Sequence, residues 1–127
     1  MVSTTQANAL FNAATLANIE EAGSSVLILS EGLEREEFLR SRITRSEVTR
    51  LLLLIADSLT QLPATLNDAM PELGWDNWRG AARQLQQPGP AADEAVWFAV
   101  LSLVPATLMW LRTYRHNQPE LFVFATP

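Results

Sequence analysis

Val48, Leu51, Leu52, Ile55, Leu59 and Leu62 recur at helical spacing, one, three or four residues apart. That spacing puts six large apolar side chains on one side of an α-helix. Leu53 and Leu54 broaden the stripe, so this helix is expected at the centre of the molecule. Thr44-Arg45-Ser46-Glu47 just ahead of it has the form of a capping box, which places the helix start there. Pro63 ends it or opens the next short turn. No segment shows the repeated two-residue alternation of a β domain. Nor is there an internal repeat or a low-complexity run.

The rest of the chain reads in the same period. A first helix is expected from Ser3 or Thr4, either of which can cap it, to about Ser30. On it Leu10, Ala13, Ala14, Ala17 and Glu21 share one face, and Leu16, Ile19, Val26, Leu27 and Leu29 widen the apolar surface. Gly23, Ser24 and Ser25 are expected to loosen its middle, and Gly32 suits its end. Glu34–Leu39 forms a short acidic piece in which Phe38 turns toward the core. Ala64–Met70 gives one or two helical turns, and Pro71–Trp75 is a turn that delivers a tryptophan. A third helix runs over Asp76–Gln87, with Trp78, Ala81, Ala82 and Leu85 inward. Pro88-Gly89-Pro90 breaks the chain. The last helix, Asp93–His116, carries Trp97, Val100, Val104, Leu108 and Leu111 on one stripe and should kink at Pro105. The apolar tail Leu121–Phe124 either covers the bundle or docks on a second subunit. The expected fold is all-α: one domain over residues 1–127, an antiparallel up-and-down four-helix bundle with an additional short helix.

Composition narrows the functional classes. With 127 residues, 48% of them hydrophobic and 18% charged, the chain can bury one core. The absence of cysteine removes disulfides, thiolate metal sites and cysteine nucleophiles. Met1–Leu10 has neither the basic nor the apolar region of a secretory signal, so the expected location is cytoplasmic. Val96–Leu111 is nearly all apolar but shorter than the ~20 residues of a spanning helix. Pro105 and Ser102 interrupt it, so no membrane span is expected. A net charge of −5 argues against non-specific nucleic-acid binding and leaves room for a local basic patch.

Chemistry-bearing motifs are few. There is no Gly-rich phosphate loop, no HExxH and only one histidine, His116, so neither a metal site nor a cofactor is expected. Arg112–His116 gathers positive charge at a helix C-terminus, where the macrodipole favours it. Arg40, Arg42, Arg45 and Arg50 alternate with Glu34, Glu36, Glu37 and Glu47, as on a solvated, salt-bridged face. Arg79 and Arg83 stand one turn apart and can face a groove together, or Arg79 can pair with Asp76. Trp75, Trp78, Trp97 and Trp110 supply core area, and Trp75 and Trp78 beside that groove are the candidate ligand-stacking pair.

The linear order of several short segments resembles the HepT-like proteins of the HEPN superfamily. Those segments are Glu36-Glu37-Phe38-Leu39, Ile55-Ala56-Asp57-Ser58 leading to Leu62-Pro63, Pro71-Glu72-Leu73-Gly74-Trp75 with Gly80, Asp93 with Val96-Trp97, and Leu103-Val104-Pro105. Together they span roughly residues 19–111. The resemblance implies a helical homodimer related to RNase toxins of toxin–antitoxin pairs, with a minimal nucleotidyltransferase as antitoxin partner and RNA as target. The family's motif is an Arg followed four to six residues later by His, often with a Tyr two residues on. Aligned on Gly80, the family Arg falls on Ala82, and Arg83 is the one remnant within a residue of it. Gln84–Ala92 contains neither His nor Tyr, and Pro88-Gly89-Pro90 stands in their place. The expectation is a HepT-like binding or regulatory bundle that has lost the RNase chemistry. The alternatives are an RNase that uses Arg83 with a relocated group such as His116 or Tyr114, and a small-ligand binder at the Trp75/Trp78 groove.

Overall fold

The computed structural model describes residues 4–123, and every regular element among them is helical. The first helix, α1, runs Thr4–Ser30 without interruption. Thr4 already lies inside it; Ser3, the alternative cap, lies outside the described residues. The buried face of α1 is Thr15, Leu16, Ile19, Ala22, Gly23, Val26 and Ser30. The expected face is turned outward: Leu10, Ala14, Ala17 and Glu21 are exposed, and Ala13 is half-buried. A helix apolar on both sides cannot be oriented by period alone. The side that wins is the one carrying Leu16, Ile19 and Val26, which remove more apolar area from water than alanines do. Its two buried hydroxyls are satisfied locally, Thr15 Oγ1 donating to the Phe11 carbonyl at 2.8 Å and Ser30 Oγ to the Val26 carbonyl at 2.8 Å.

Gly23 does not loosen α1. A Cβ there would stand 2.9 Å from Leu108 Cδ2, so the missing side chain is what lets α1 approach the last helix closely. Gly32, at φ +76°, closes the helix in the left-handed region that glycine reaches freely.

After α2 (Arg35–Arg40), α3 covers Arg42–Gln61. Val48, Leu51, Leu52, Ile55, Leu59 and Leu62 are all buried, as the period requires. The start differs from expectation: α3 opens at Arg42, and Thr44–Glu47 lies within its first turns. The extended residue before the helix is Ser41, whose carbonyl accepts from the Arg45 N–H at 2.9 Å, so Thr44 is already helical and cannot cap; the Glu47 carboxylate is bonded to Arg50. A reach-back of the expected kind occurs earlier, where the Glu34 N–H donates to Glu37 Oε1 at 3.2 Å ahead of α2. Phe38 is fully buried and packs on the Trp97 ring, with centroids 5.6 Å apart, which fastens α2 to the last helix.

Leu62 is extended before Pro63, which ends α3. α4 (Ala64–Ala69), a 3₁₀ turn (Pro71–Leu73) and Gly74 at φ +79° lead into α5 (Trp75–Leu85). Pro88 and Gly89, at φ +87°, carry the chain through residues 86–89, and Pro90 is the first helical residue of α6 (Pro90–Phe98). A π turn over Ala99–Leu103 joins α6 to α7 (Val104–Asn117), making one helical run of 28 residues. Around Pro105, where a kink is expected, the helical run continues through this π turn. Proline offers no N–H and crowds the carbonyl four residues back, and a wider turn directly before it relieves both. The Val104 N–H accordingly bonds five residues back, to the Ala99 carbonyl.

By length and composition this 28-residue run is apolar enough to cross a membrane, yet half of its most apolar window is buried inside the molecule. α1 packs against α3 and α7, and α5 packs against α3 and α6. The final turn, Pro119–Leu121, lies against α7 and α1, with Leu121 and Phe122 packed on the core. Of the expected tail contacts, Phe124 lies outside the described residues.

Candidate functional site

α3 carries Leu53, Ala56, Asp57 and Thr60 at helical spacing on one face, and α5 presents Arg79, Ala82, Arg83 and Gln86 toward them. These eight residues line an open groove of about 460 Å³. Arg79 and Arg83 therefore share one groove. Arg79 is also ion-paired with Asp76 one turn back. Arg83 is exposed and has no partner among the described residues. Asp57 is the one carboxylate lining the groove; its Oδ2 accepts from Gln61 Nε2 at 2.9 Å. The sequence reading overlooked this α3 wall, although the spacing of residues 53, 56, 57 and 60 was there to find.

Trp75 and Trp78 do not offer a stacking platform. Trp75 is 8% exposed and Trp78 1%. Both indole N–H groups are spent internally: Trp75 Nε1 donates to the Met70 carbonyl at 2.8 Å and Trp78 Nε1 to Thr107 Oγ1 at 2.9 Å. A buried indole needs an acceptor for its one polar atom, and here the fold supplies it. Trp78 is core; Trp75, mostly buried, borders with Asp76, Asn77 and Arg79 a separate cleft of about 430 Å³, and neither tryptophan lines the α3–α5 groove.

The other candidate groups lie elsewhere. α5 packs against α6, so α5 and the long helical run form a hairpin closed by the 86–89 turn, with Trp78 bonded to Thr107 between them. Arg83 is five residues from Trp78 toward that turn, and His116 nine residues from Thr107 away from it. Their axial separation is roughly 20 Å. Tyr114 is buried, its ring 5.9 Å from that of Trp110. Arg115 bonds Glu20 Oε2 at 2.7 Å and lies over the Phe122 ring at 5.2 Å, so the basic end of α7 is partly occupied in holding α1 and the last turn. Among the described residues, no three His, Asp or Glu side chains come together in a way that could hold a metal ion.

The mixed-charge face is paired in part. Arg35 bonds Glu36 and Glu94, and Arg45 bonds Asp93. Arg50 bonds Glu47, and its hydrogen bond, then its charge, hold the Glu47 carboxyl below the usual carboxylate range. Compared with known proteins, the chain matches no family model, no curated protein and no solved structure.

Proposed function

We propose that this chain is a HepT-like helical bundle that acts as a binding or regulatory homodimer and does not cleave RNA. In this reading α1, α3, α5 and the long helix are the four members of an antiparallel bundle, with α2 and α4 as short additions. The observation that carries it is the surroundings of Arg83. Cleavage of an RNA phosphodiester through its 2′-OH needs a proton acceptor and a proton donor beside the phosphate. The groove holds two guanidinium groups and the Asp57 carboxylate, an acceptor without a matching donor. His116 is at the far end of the molecule and Tyr114 is inside it.

Support for the homodimer comes from the outer side of the long helix. Phe98, Leu101 and Met109 are 52%, 59% and 52% exposed, on a face that no other element covers. A second copy meeting this face would remove those side chains from water. The nucleotidyltransferase partner implied by the resemblance would in this reading bind without modifying the chain, because residues 84–92 offer no tyrosine.

Two measurements test the proposal. The purified protein should leave a single-stranded RNA intact; cleavage that disappears in Arg83→Ala would overturn the non-catalytic reading. Light scattering at micromolar concentration should give twice the 14.1 kDa chain mass, and Phe98→Asp/Leu101→Asp should give the single mass. A wild-type monomer would remove the dimer.

A further inference from the structure

A second cleft, of about 600 Å³, opens between α2 and α3 and is lined by Leu39, Arg40, Arg42, Arg45, Ser46 and Thr49. Arg42, Arg45, Ser46 and Thr49 fall at intervals of three, one and three, so they form a single polar stripe along α3. Arg40 ends α2, and one extended residue, Ser41, turns the chain so that Arg40 faces the same space. Three guanidinium groups and two hydroxyls thus border one cleft, with no carboxylate among its lining residues.

The nearby carboxylates are engaged elsewhere. Glu37 accepts from the Glu34 N–H, Glu36 and Glu94 bond Arg35, Glu47 bonds Arg50, and Asp93 bonds Arg45 from outside the cleft. Arg40 and Arg42 have no partner among the described residues. Arg45 is held half-buried by Asp93, yet a guanidinium has five N–H donors and one carboxylate cannot use them all. Like charges gathered in one cleft repel, in a protein whose net charge is −5 and which could have placed its surplus acids there. An anion in the cleft offsets that repulsion, and planar guanidinium forks with hydroxyl donors match the oxygens of a phosphate group.

We propose that the α2–α3 cleft binds the phosphomonoester group of a small molecule, with Arg40, Arg42 and Arg45 contacting the phosphate oxygens and Ser46 and Thr49 completing its hydrogen bonds. Leu39, half-buried at the cleft wall, gives the organic part of the ligand an apolar contact. The site is separate from the α3–α5 groove of Arg79 and Arg83 and does not depend on the proposed dimer or on the loss of RNA cleavage.

The test is a titration of the intact, ¹⁵N-labelled protein with phenyl phosphate and with inorganic phosphate, against sodium chloride at matched ionic strength. Saturable backbone shifts centred on residues 39–49 are expected, tighter for phenyl phosphate than for inorganic phosphate. Arg40→Gln and Arg42→Gln, both at exposed positions, should leave the spectrum unchanged away from the replaced residue and its immediate neighbours. Each should weaken binding roughly tenfold, the loss of one charge-assisted contact. Arg83→Gln should bind like the wild type. Non-saturating shifts equal in all variants, or shifts centred on residues 79–86, would overturn the assignment. So would equal competition by an RNA oligonucleotide lacking terminal phosphates, which would give the cleft to nucleic-acid backbone instead.

Discussion

Thr107→Val exchanges a hydroxyl for a methyl of nearly the same size, and the structure gives reason to expect a large effect from it. Thr107 is 3% exposed. Its Oγ1 accepts from Trp78 Nε1 at 2.9 Å and donates to the Leu103 carbonyl at 2.8 Å. Valine keeps the packing and strands the indole N–H, which is itself almost wholly buried and has no route to water. An unsatisfied buried donor costs about 1–3 kcal/mol, more than the net worth of the bond it replaces. The Leu103 carbonyl loses a second donor, a smaller matter because a carbonyl tolerates under-satisfaction better than an N–H does. A loss of about 2 kcal/mol is therefore expected, measured by urea denaturation followed by circular dichroism at 222 nm. For a chain of this length that lowers Tm by roughly 6–10 °C. The cycle with Trp78→Phe isolates the cause. Phenylalanine has no N–H to strand, so in that background Thr107→Val should cost at least ~1 kcal/mol less. A loss under ~0.5 kcal/mol for Thr107→Val alone, or an equal loss in both backgrounds, would refute the reasoning.

Two further outcomes follow from the packing and the charges. Gly23→Val should destabilise the fold by about 1–3 kcal/mol, because its side chain would enter the space of Leu108 where even a Cβ stands at 2.9 Å; denaturation midpoints unchanged from wild type would show that α1 and α7 are not in close contact. Glu47 has its pKa lowered in the folded state by Arg50. Its contribution is therefore complete above the ordinary glutamate range and lost as pH falls through its folded-state value. Glu47→Gln should be less stable than wild type near neutral pH and low salt, and equal to it in acid, when stability is compared across a pH series; a gap that does not close as the wild-type carboxylate is protonated would mean that charge is not the cause.

The helical class was legible because the α3 stripe is one-sided: six apolar positions at helical spacing admit one orientation, and all six are buried. α1 was not legible in the same way. Apolar residues surround it, so which face turned inward depended on side-chain size against partners the sequence does not display. The α3 start was misread for a related reason. The capping-box pattern at Thr44–Glu47 marks a possible start, but the backbone turns helical three residues earlier, directly after the extended Ser41, and the Glu47 carboxylate pairs with Arg50. Arg79 and Arg83 sharing a groove followed from their spacing. The burial of Trp75 and Trp78 did not, because a tryptophan has the same composition on a surface as in a core, and only the acceptors at Met70 and Thr107 decide where its N–H can go. In sequence the arginines of the α2–α3 cleft alternate with acids and read as a mixed-charge, salt-bridged face. The cleft depends on which acids turn away, and that is a property of side-chain pairing.

The π turn over Ala99–Leu103 bears on how this chain can change in length. Val96, Val100, Val104 and Leu108 are all buried and are spaced by four throughout. On a regular α-helix that spacing drifts about 40° per turn, so that Leu108 would point about 120° away from Val96. A π turn accommodates one residue beyond what an α-helix of equal rise uses, about 100° of rotation, and so absorbs most of that drift. Removing one residue within 99–103, with Pro105 replaced by alanine, would return the run to α geometry and leave Leu111, Tyr114 and Arg115 facing as they do now. The same deletion anywhere between residues 106 and 112 would swing those groups around the helix. This segment is thus the one place in the long helix where a single-residue change of length need not be transmitted to the far end of the molecule.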